Sequence, residues 1–204
     1  MAPSYKLTYF NGRGVAEVAR LMFAYAEVDY QDVRIEKENW LAIKPNQPFG
    51  KLPVLEVDGE LIAESGAINR FLAKKFGLNG KTDIESAKAD MVLSAMKDLT
   101  VDRGTYMREE DPAKKEEMKK KFITETLPPF LVSLEKILKA SGGNYLAGNS
   151  LTYADIAVGY GIGELTNHAP QVMDKFPGLK GLSEKVLALP NIKKWTEKRP
   201  QTEF

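Results

Sequence analysis

A predicted β-hairpin and the helix that follows it occupy residues 53–76, PVLEVDGELIAESGAINRFLAKKF. Apolar side chains stand on both sides of Asp58-Gly59, a dipeptide that favours the tight turn of a hairpin. After Ser65 the apolar residues recur three or four positions apart, which is the spacing of one helix face. Two antiparallel strands followed directly by a helix indicate a compact unit that mixes strands and helices.

The chain before the hairpin supplies the remaining elements of this unit. The pattern predicts a strand over residues 5–10, which ends in the turn Asn11-Gly12-Arg13-Gly14. A helix with one apolar face follows over residues 15–26, and a second strand and a short helical turn are predicted over 30–35 and 39–43. The predicted order is β-α-β-α-β-β-α, an α/β domain over residues 1–78.

Helical spacing replaces the strand patterns after a predicted linker over residues 79–83. The helix that begins there carries two apolar stripes, which predict either packing within the domain or a subunit interface. Pro128-Pro129 predicts a kink in a later helix, and Thr152 with Asp155 has the spacing of a capping box. We therefore expect an all-α domain over residues 84–204.

Composition excludes several classes of site. Lysine and arginine number 29 against 28 aspartate and glutamate, so the chain has no overall basic field for nucleic acid. Cysteine is absent and histidine occurs once, which excludes disulfides and cysteine nucleophiles and predicts no metal site. No apolar run approaches the ~20 residues of a membrane span, and the start lacks a secretory signal. A cytoplasmic protein is expected.

A glycine-containing turn before a helix raises the possibility of a dinucleotide site. Gly12 and Gly14 follow a strand, and Asp32 lies where an acidic residue would meet a ribose. Glu17, however, occupies the third glycine position, where its bulk and charge would oppose a pyrophosphate. The antiparallel hairpin also replaces the second βαβ unit, so the pattern favours a different ligand.

Residues around the hairpin could hold an amino acid or a peptide. A cis Leu52–Pro53 bond would turn the Leu52 backbone outward to pair with an extended ligand. Ser65 at a helix start suits a carboxylate, although serine there is usually only a cap, and Glu64 beside it suits an ammonium group. A second carboxylate could pair with Lys44 and Lys51.

Several motifs match one family in register along nearly the whole chain. They are YKLTYFN at 5–11, Trp40 with Lys44, PFGKLPVLE at 48–56, Glu64-Ser65, GNSLTYAD at 148–155 and KRPQT at 198–202. The chain resembles the cytosolic glutathione transferases, and most closely their sigma class. The resemblance implies a thioredoxin-like first domain, a helical second domain, a homodimer, and glutathione as a substrate with no metal.

The resemblance also implies the residues of the site. Tyr9 matches the catalytic tyrosine, whose hydroxyl would stabilise the glutathione thiolate. The matched glutathione-binding positions are Tyr9, Arg13, Trp40, Lys44, Lys51, Leu52, Pro53, Glu64, Ser65 and, across the dimer, Asp98. An apolar electrophile pocket is expected to be lined by Phe10, Gly12, Gly14, Val15, Tyr106, Met107, Ala157, Gly161 and Phe204.

Two departures from the family pattern bear on function. Val15 stands where vertebrate sigma members have an arginine that helps to hold the thiolate, and Glu64 replaces a commoner glutamine. The leading hypothesis is conjugation of reduced glutathione to apolar electrophiles. The alternatives are a glutathione-dependent isomerase that converts prostaglandin H2 to D2, and a non-catalytic ligandin or S-crystallin-like structural protein.

Overall fold

A computed structural model describes residues 3–202 of the chain. Contacts group the chain into two compact units, and the first contains the residues up to Leu78 together with the segment from Ala188 onward. The second unit is Asn79–Leu187. This grouping differs from the predicted division at its end, because the last helix belongs by its contacts to the first unit.

The first unit is built on a four-stranded mixed sheet. Its strands are β1 (Tyr5–Phe10), β2 (Gln31–Ile35), β3 (Val54–Val57) and β4 (Glu60–Ala63), in the order β2-β1-β3-β4. β2 is parallel to β1, whereas β3 is antiparallel to both β1 and β4. The helices are α1 (Glu17–Ala26), α2 (Trp40–Ile43), α3 (Ser65–Lys75) and α10 (Pro190–Lys198). The predicted thioredoxin-like order is confirmed.

Tyr5, Leu7 and Tyr9 share one face of β1, because side chains alternate along a strand. Tyr5 and Leu7 point into the core with exposures of 7% and 0%, and the ring of Tyr5 meets that of Phe23 on α1 edge-on at 5.3 Å. Helix α1 is buried more widely than its predicted apolar face, since Glu17 and Arg20 are also fully buried. That burial of charge bears directly on the site.

The described part of the second unit consists of helices and turns. The helices are α4 (Asp83–Met107), α5 (Pro112–Lys121), α6 (Leu127–Ala140), α7 (Tyr153–His168), α8 (Pro170–Met173) and α9 (Pro177–Leu187). The closest packing is between α7 and α9, where a Cβ on Gly159 would lie 2.7 Å from Val186. Ser183 donates to the Gly159 carbonyl at 2.7 Å across the same contact. A small residue lets the two backbones approach.

The predicted irregularity near the two prolines is present just before them. Phe122–Thr126 forms a π-helical turn between α5 and α6, in which the N–H of Leu127 bonds to the carbonyl of Phe122. Pro128 and Pro129 have no N–H groups, so the carbonyls one turn earlier lose their α-helical donors. The widened turn accommodates that loss.

One of the two apolar stripes predicted on α4 is buried at Val92 and half-buried at Met96 and Leu99, and the other is exposed. Val92 is 1% exposed and packs within the unit, whereas Ile84 and Met91 are 67% and 51% exposed. The exposed stripe therefore has no packing role inside its own unit.

Candidate functional site

Tyr9 lies near the carboxyl end of β1, beside the turn that leads into α1. Its phenol oxygen approaches the backbone of Gly14 so closely that a Cβ on Gly14 would lie 2.5 Å from that oxygen. Gly14 also has a φ of +41°, a left-handed conformation that side-chain-bearing residues rarely adopt. Glycine is therefore required beside the Tyr9 hydroxyl for two independent reasons.

The surroundings of Tyr9 keep its hydroxyl protonated and orient it. Burial raises the pKa of Tyr9 above its ordinary value, and this outweighs the lowering by a hydrogen bond with the Val15 backbone amide and by the charge of Arg20. The Val15 N–H donates to the phenol oxygen, so the hydroxyl proton stays available to an acceptor on a ligand. Tyr9 is thus an oriented hydrogen-bond donor at neutral pH.

A buried arginine holds the turn that follows β1. Arg20 is 0% exposed, and its Nη1 donates to the Gly12 carbonyl at 2.7 Å and to Glu17 at 3.1 Å. Its guanidinium carbon lies 5.9 Å from the centre of the Tyr9 ring, within the range of a cation–π contact. Arg20 was not predicted from the sequence as a site residue. The available signal was a charged pair three residues apart in a helix that is apolar on its other faces.

Carboxylates anchor Arg20 at two of its nitrogens. Asp32 accepts from the Arg20 Nε at 3.0 Å and from Arg34 at 2.8 Å. Glu17, which is 0% exposed, accepts from Arg20 with one carboxylate oxygen and from α10 with the other. Glu17 and Asp32, the residues weighed for a dinucleotide site, therefore hold the base of the Tyr9 turn.

Trp40 and Lys44 lie on the segment after β2. The ring of Trp40 meets the ring of Phe10 edge-on at 5.4 Å, and Phe10 meets Tyr9 at 5.7 Å. The Lys44 side chain passes over Gly50, where a Cβ would lie 3.5 Å from its Cε. Three predicted site residues, Tyr9, Phe10 and Trp40, are thereby linked by ring contacts.

The segment before β3 settles the isomer of the Leu52–Pro53 bond, which the sequence left open. The Leu52–Pro53 peptide bond is cis, Pro53 is buried and Leu52 is half-buried. Lys51 is exposed and follows Gly50, which has a φ of +57°. The Lys51 side chain and the Leu52 backbone therefore lie just before the start of β3.

Glu64 joins β4 to α3 in an uncommon conformation. Its φ and ψ are 69° and 116°, and it makes no capping hydrogen bond to α3. A non-glycine residue in such a region costs about 1–3 kcal/mol and occurs often at ligand sites. Ser65 begins α3, whose N-terminal amides make a favourable place for a carboxylate.

The remaining predicted residues lie in the second unit. Asp98 is exposed on α4, Met107 is 39% exposed at the end of that helix, and the Tyr106 ring lies 5.6 Å from that of Phe122. Gly161 is half-buried, and Ala157 is 1% exposed, so its methyl group packs inside the unit. Phe204 lies outside the described residues.

The first-unit pocket residues differ in their accessibility. Gly12 is buried and its carbonyl is occupied by Arg20, whereas Gly14 is exposed and Phe10 and Val15 are half-buried. Arg13, also half-buried, precedes the Gly14–Ala16 turn. The surface beside the Tyr9 hydroxyl is therefore formed by glycine and apolar groups.

Two features are absent from residues 3–202. No cluster of three or more histidine, aspartate or glutamate side chains in this range could hold a metal ion. Within the same range, no helix combines the length and the apolar character needed to cross a membrane.

Comparison with known proteins gives matches over both units. Residues 5–74 match the family described as glutathione S-transferase, N-terminal domain, and residues 97–199 match glutathione S-transferase, C-terminal domain. The probable glutathione S-transferase 5 of Caenorhabditis elegans is 44% identical, over 98% of this chain and 99% of the relative. The hematopoietic prostaglandin D synthase of Homo sapiens is 38% identical, over 99% of this chain and 100% of the relative.

Solved structures are also similar to this chain over nearly its whole length. A major nematode-specific transferase of C. elegans gives a TM-score of 0.92 at 44% identity, with 100% of both chains covered. A structure described as a monomeric glutathione S-transferase of the hookworm Necator americanus gives 0.92 at 40% identity, over 98% of this chain and 100% of that one.

Proposed function

Because this chain belongs to the glutathione S-transferase family, we propose that it conjugates reduced glutathione to apolar electrophiles through a thiolate stabilised by Tyr9. The observation that carries the proposal is the Tyr9 hydroxyl, held between Gly14 and the Val15 amide with its proton available. The proposal assigns the enzyme to the sigma class, with detoxification in the cytoplasm as its role.

The proposed chemistry needs one hydrogen bond to sulfur. A hydrogen bond to a charged acceptor is worth ~1.5–3 kcal/mol, which corresponds to about 1–2 pKa units. A thiol of pKa ~8.5 lowered by that amount is substantially ionised at neutral pH. Glutathione gives its thiol proton to solvent, and the thiolate then forms a C–S bond with the electrophile as the leaving group departs.

The rest of the first unit would hold the tripeptide. In the proposal, Trp40 and Lys44 meet the glycine end and the Leu52 backbone pairs with the cysteinyl residue. Glu64 and Ser65 meet the γ-glutamyl group, and the uncapped start of α3 favours its carboxylate. Arg13, Lys51 and Pro53 complete the set carried over from the resemblance.

Val15 makes this site different from one that uses an arginine side chain. The group at position 15 that contacts the Tyr9 oxygen is the backbone amide. This hydrogen bond to Tyr9 therefore does not depend on the side chain at position 15. The small, apolar residues beside it, Gly14 and Val15, favour a permissive pocket for apolar electrophiles over a shape-selective one.

Comparing the parent with Tyr9→Phe tests the proposal directly. Conjugation to 1-chloro-2,4-dinitrobenzene is expected to fall at least about tenfold, equivalent to about 1.4 kcal/mol of barrier. Glutathione binding, followed by calorimetry, should change little. Tyr25→Phe, which removes a phenol hydroxyl from α1 of the same unit, is the matched control. An active Tyr9→Phe enzyme would refute the role of Tyr9, and binding without turnover in the parent would favour a ligandin or S-crystallin-like protein.

A glutathione-dependent isomerase is the second candidate. Hematopoietic prostaglandin D synthases of Gallus gallus and Homo sapiens are 40% and 38% identical to this chain. The candidate reaction rearranges prostaglandin H2 to D2, and product analysis after incubation with the endoperoxide and glutathione tests it. Formation of D2 above the uncatalysed mixture would support it, and an unchanged product mixture would refute it.

The proposed enzyme acts as a homodimer that associates through α4. Ile84 and Met91 are exposed on one stripe of this helix, and Asp98 lies two turns beyond Met91 on the same face. An apolar stripe of this kind marks an interaction surface, whereas isolated exposed residues do not. The stripe would bring Asp98 to the edge of the interface, where the resemblance requires an acid.

Sedimentation velocity tests this assembly. Met91→Lys should convert the dimer to monomer and lower glutathione affinity, because Asp98 would no longer reach its site. Val132→Lys, which changes an isolated exposed residue of α6, should leave the dimer intact. If the parent protein sediments as a monomer, like the monomeric hookworm transferase, the assembly is refuted.

A further inference from the structure

A network of buried charges connects the turn beside Tyr9 to the last helix of the chain. Arg20 and Glu17 on α1 are both 0% exposed. The second oxygen of Glu17 accepts hydrogen bonds from the Trp195 indole at 2.9 Å and from Arg199 at 2.8 Å. These partners stand 178 and 182 residues away in the sequence. All of them belong to the first unit.

The network is made of ion pairs between arginine side chains and acidic residues. It contains the guanidinium groups of Arg20, Arg34 and Arg199 and the carboxylates of Glu17 and Asp32. The Arg20 group lies against the Tyr9 ring, and its Nη2 is buried without a hydrogen-bond acceptor among residues 3–202. Interactions of a charge are strong where water is excluded. The positive charge nearest to Tyr9 is therefore held in a dry environment by partners on three elements.

The contacts of Arg20 also fix the backbone around the phenol oxygen. Its Nη1 bonds to the Gly12 carbonyl at 2.7 Å and approaches the Arg13 carbonyl at 3.5 Å. Those two residues immediately precede Gly14 and Val15, whose backbone meets the Tyr9 hydroxyl. A displacement of Arg20 would move the turn and with it the Val15 amide.

We infer that Arg20 is a positioning residue for Tyr9 and that Glu17, fixed by Trp195 and Arg199 of the C-terminal segment, holds Arg20 in place. The last helix of the chain thus sets the geometry of the hydroxyl that activates sulfur. This inference rests on the proposed function, because it assigns Arg20 a role through Tyr9. Glutathione itself needs no contact with the network.

Arg20→Lys is the direct test, because it keeps the charge and loses the branched contacts. The kcat for 1-chloro-2,4-dinitrobenzene should fall about tenfold, or about 1.4 kcal/mol, while KM for glutathione changes less than about twofold. The pKa of the bound thiol, read from thiolate absorbance across pH, should rise. A merely structural role would lower the amount of folded enzyme without moving this pKa.

Two variants of α10 form a matched pair. Trp195→Phe removes the hydrogen bond to Glu17, and Asn191→Ala removes another bond from α10, the one to Glu27 at 2.8 Å. Both variants remove a hydrogen bond that α10 makes, but only Trp195→Phe removes one from Glu17, the residue that holds Arg20. We expect kcat to fall and the thiol pKa to rise in Trp195→Phe, with Asn191→Ala like the parent.

The outcomes separate this inference from the proposed function. An effect of Tyr9→Phe with none of Arg20→Lys or Trp195→Phe would overturn the inference and keep the function. Equal losses in Trp195→Phe and Asn191→Ala would overturn it too, since they would reflect loosening of α10 alone. If Arg20→Lys does not fold, the two α10 variants decide the question. If Tyr9→Phe is fully active, the function itself fails.

Discussion

Two fully buried carboxylates, one in each unit, are satisfied in opposite ways. Glu17 accepts from two guanidinium groups and an indole, and its partners come from α1 and the C-terminal segment. Within residues 3–202, Asp155 accepts from neutral donors only, the Thr152 amide and hydroxyl and the Leu146 amide, each at 2.7 Å. Glu17 joins distant segments beside the candidate site, whereas Asp155 closes a local turn at the start of α7.

The two carboxylates represent two uses of buried charge in this molecule. Neutral donors suffice where a carboxylate only has to fix the backbone, as in a capping box. Oppositely charged partners are needed where a second charge, here Arg20, must itself be held in a buried position. The comparison predicts that damage to Asp155 lowers stability alone, while damage to Glu17 lowers both stability and activity.

Removing Glu17 should have the largest effect on stability. Glu17→Ala leaves the buried Arg20 and the half-buried Arg199 with one carboxylate fewer, and breaking a buried ion pair costs about 3–5 kcal/mol. Urea denaturation measures the loss, and kcat per folded molecule should fall as well. Stability and kcat close to those of the parent would contradict the central place of Glu17.

Removing Asp155 should destabilise the second unit without changing the chemistry. Asp155→Ala breaks the capping box of α7 and leaves the buried Leu146 donor unsatisfied, which costs about 1–3 kcal/mol. Urea denaturation should show the loss, with kcat per folded molecule retained. Asp174→Ala, which breaks an exposed ion pair with Lys180, is the control and should change stability by less than about 1 kcal/mol. A fall in kcat for Asp155→Ala would contradict the expected difference between Asp155 and Glu17.

A side chain at Gly14 should lower activity more than stability. In Gly14→Ala the new Cβ would meet the Tyr9 oxygen, and we expect kcat to fall about tenfold, or about 1.4 kcal/mol. Gly77→Ala is the matched control, because Gly77 also has a positive φ, +69°, but its Cβ would meet nothing within 4 Å. Both variants should lose about 1 kcal/mol of stability from backbone strain. Equal activity in the two variants would show that the contact with Tyr9 is unimportant.

The smallest expected effect is the dependence of stability on the ionisation of Asp155. Burial raises the pKa of Asp155 above 3.8, more than its hydrogen bonds lower it. A raised pKa means that the folded state binds the proton more tightly, so this contribution is present below about pH 4 and is lost as pH rises through the folded value. The stability of the parent relative to Asp155→Asn should therefore decrease over the interval above about pH 4. An increase over that interval would mean that the hydrogen bonds prevail over burial.

The parts of the fold that depend on neighbours in sequence were predictable. The Asp58-Gly59 hairpin, the start of α3 at Ser65 and the Thr152–Asp155 capping box each rest on residues within a few positions of one another. The double proline predicted an irregular helix, and its position as a π-helical turn before Pro128 follows from two missing donors. The predicted Tyr9, Phe10 and Trp40 are also brought into ring contact.

The misses have a common physical cause. Helical spacing could not say that the Ile84 stripe is exposed and the Val92 stripe buried, because both have the same periodicity. The spacing likewise did not reveal that Ala157 is only 1% exposed in the second unit. Exposure depends on which elements pack together, and a single sequence does not contain that information.

Local rules of turn, cap and alternation were enough to obtain the order of the elements from the amino-acid sequence, and the matched motifs pointed to the candidate tyrosine. The tertiary structure alone brought Trp195 to Glu17 and thereby placed Arg20 against Tyr9. Turns and caps are hydrogen-bonded between residues a few positions apart in the sequence. The partner of a buried charge, in contrast, can come from any segment that folding brings next to it. The geometry of the Tyr9 hydroxyl therefore depends on a helix at the opposite end of the sequence.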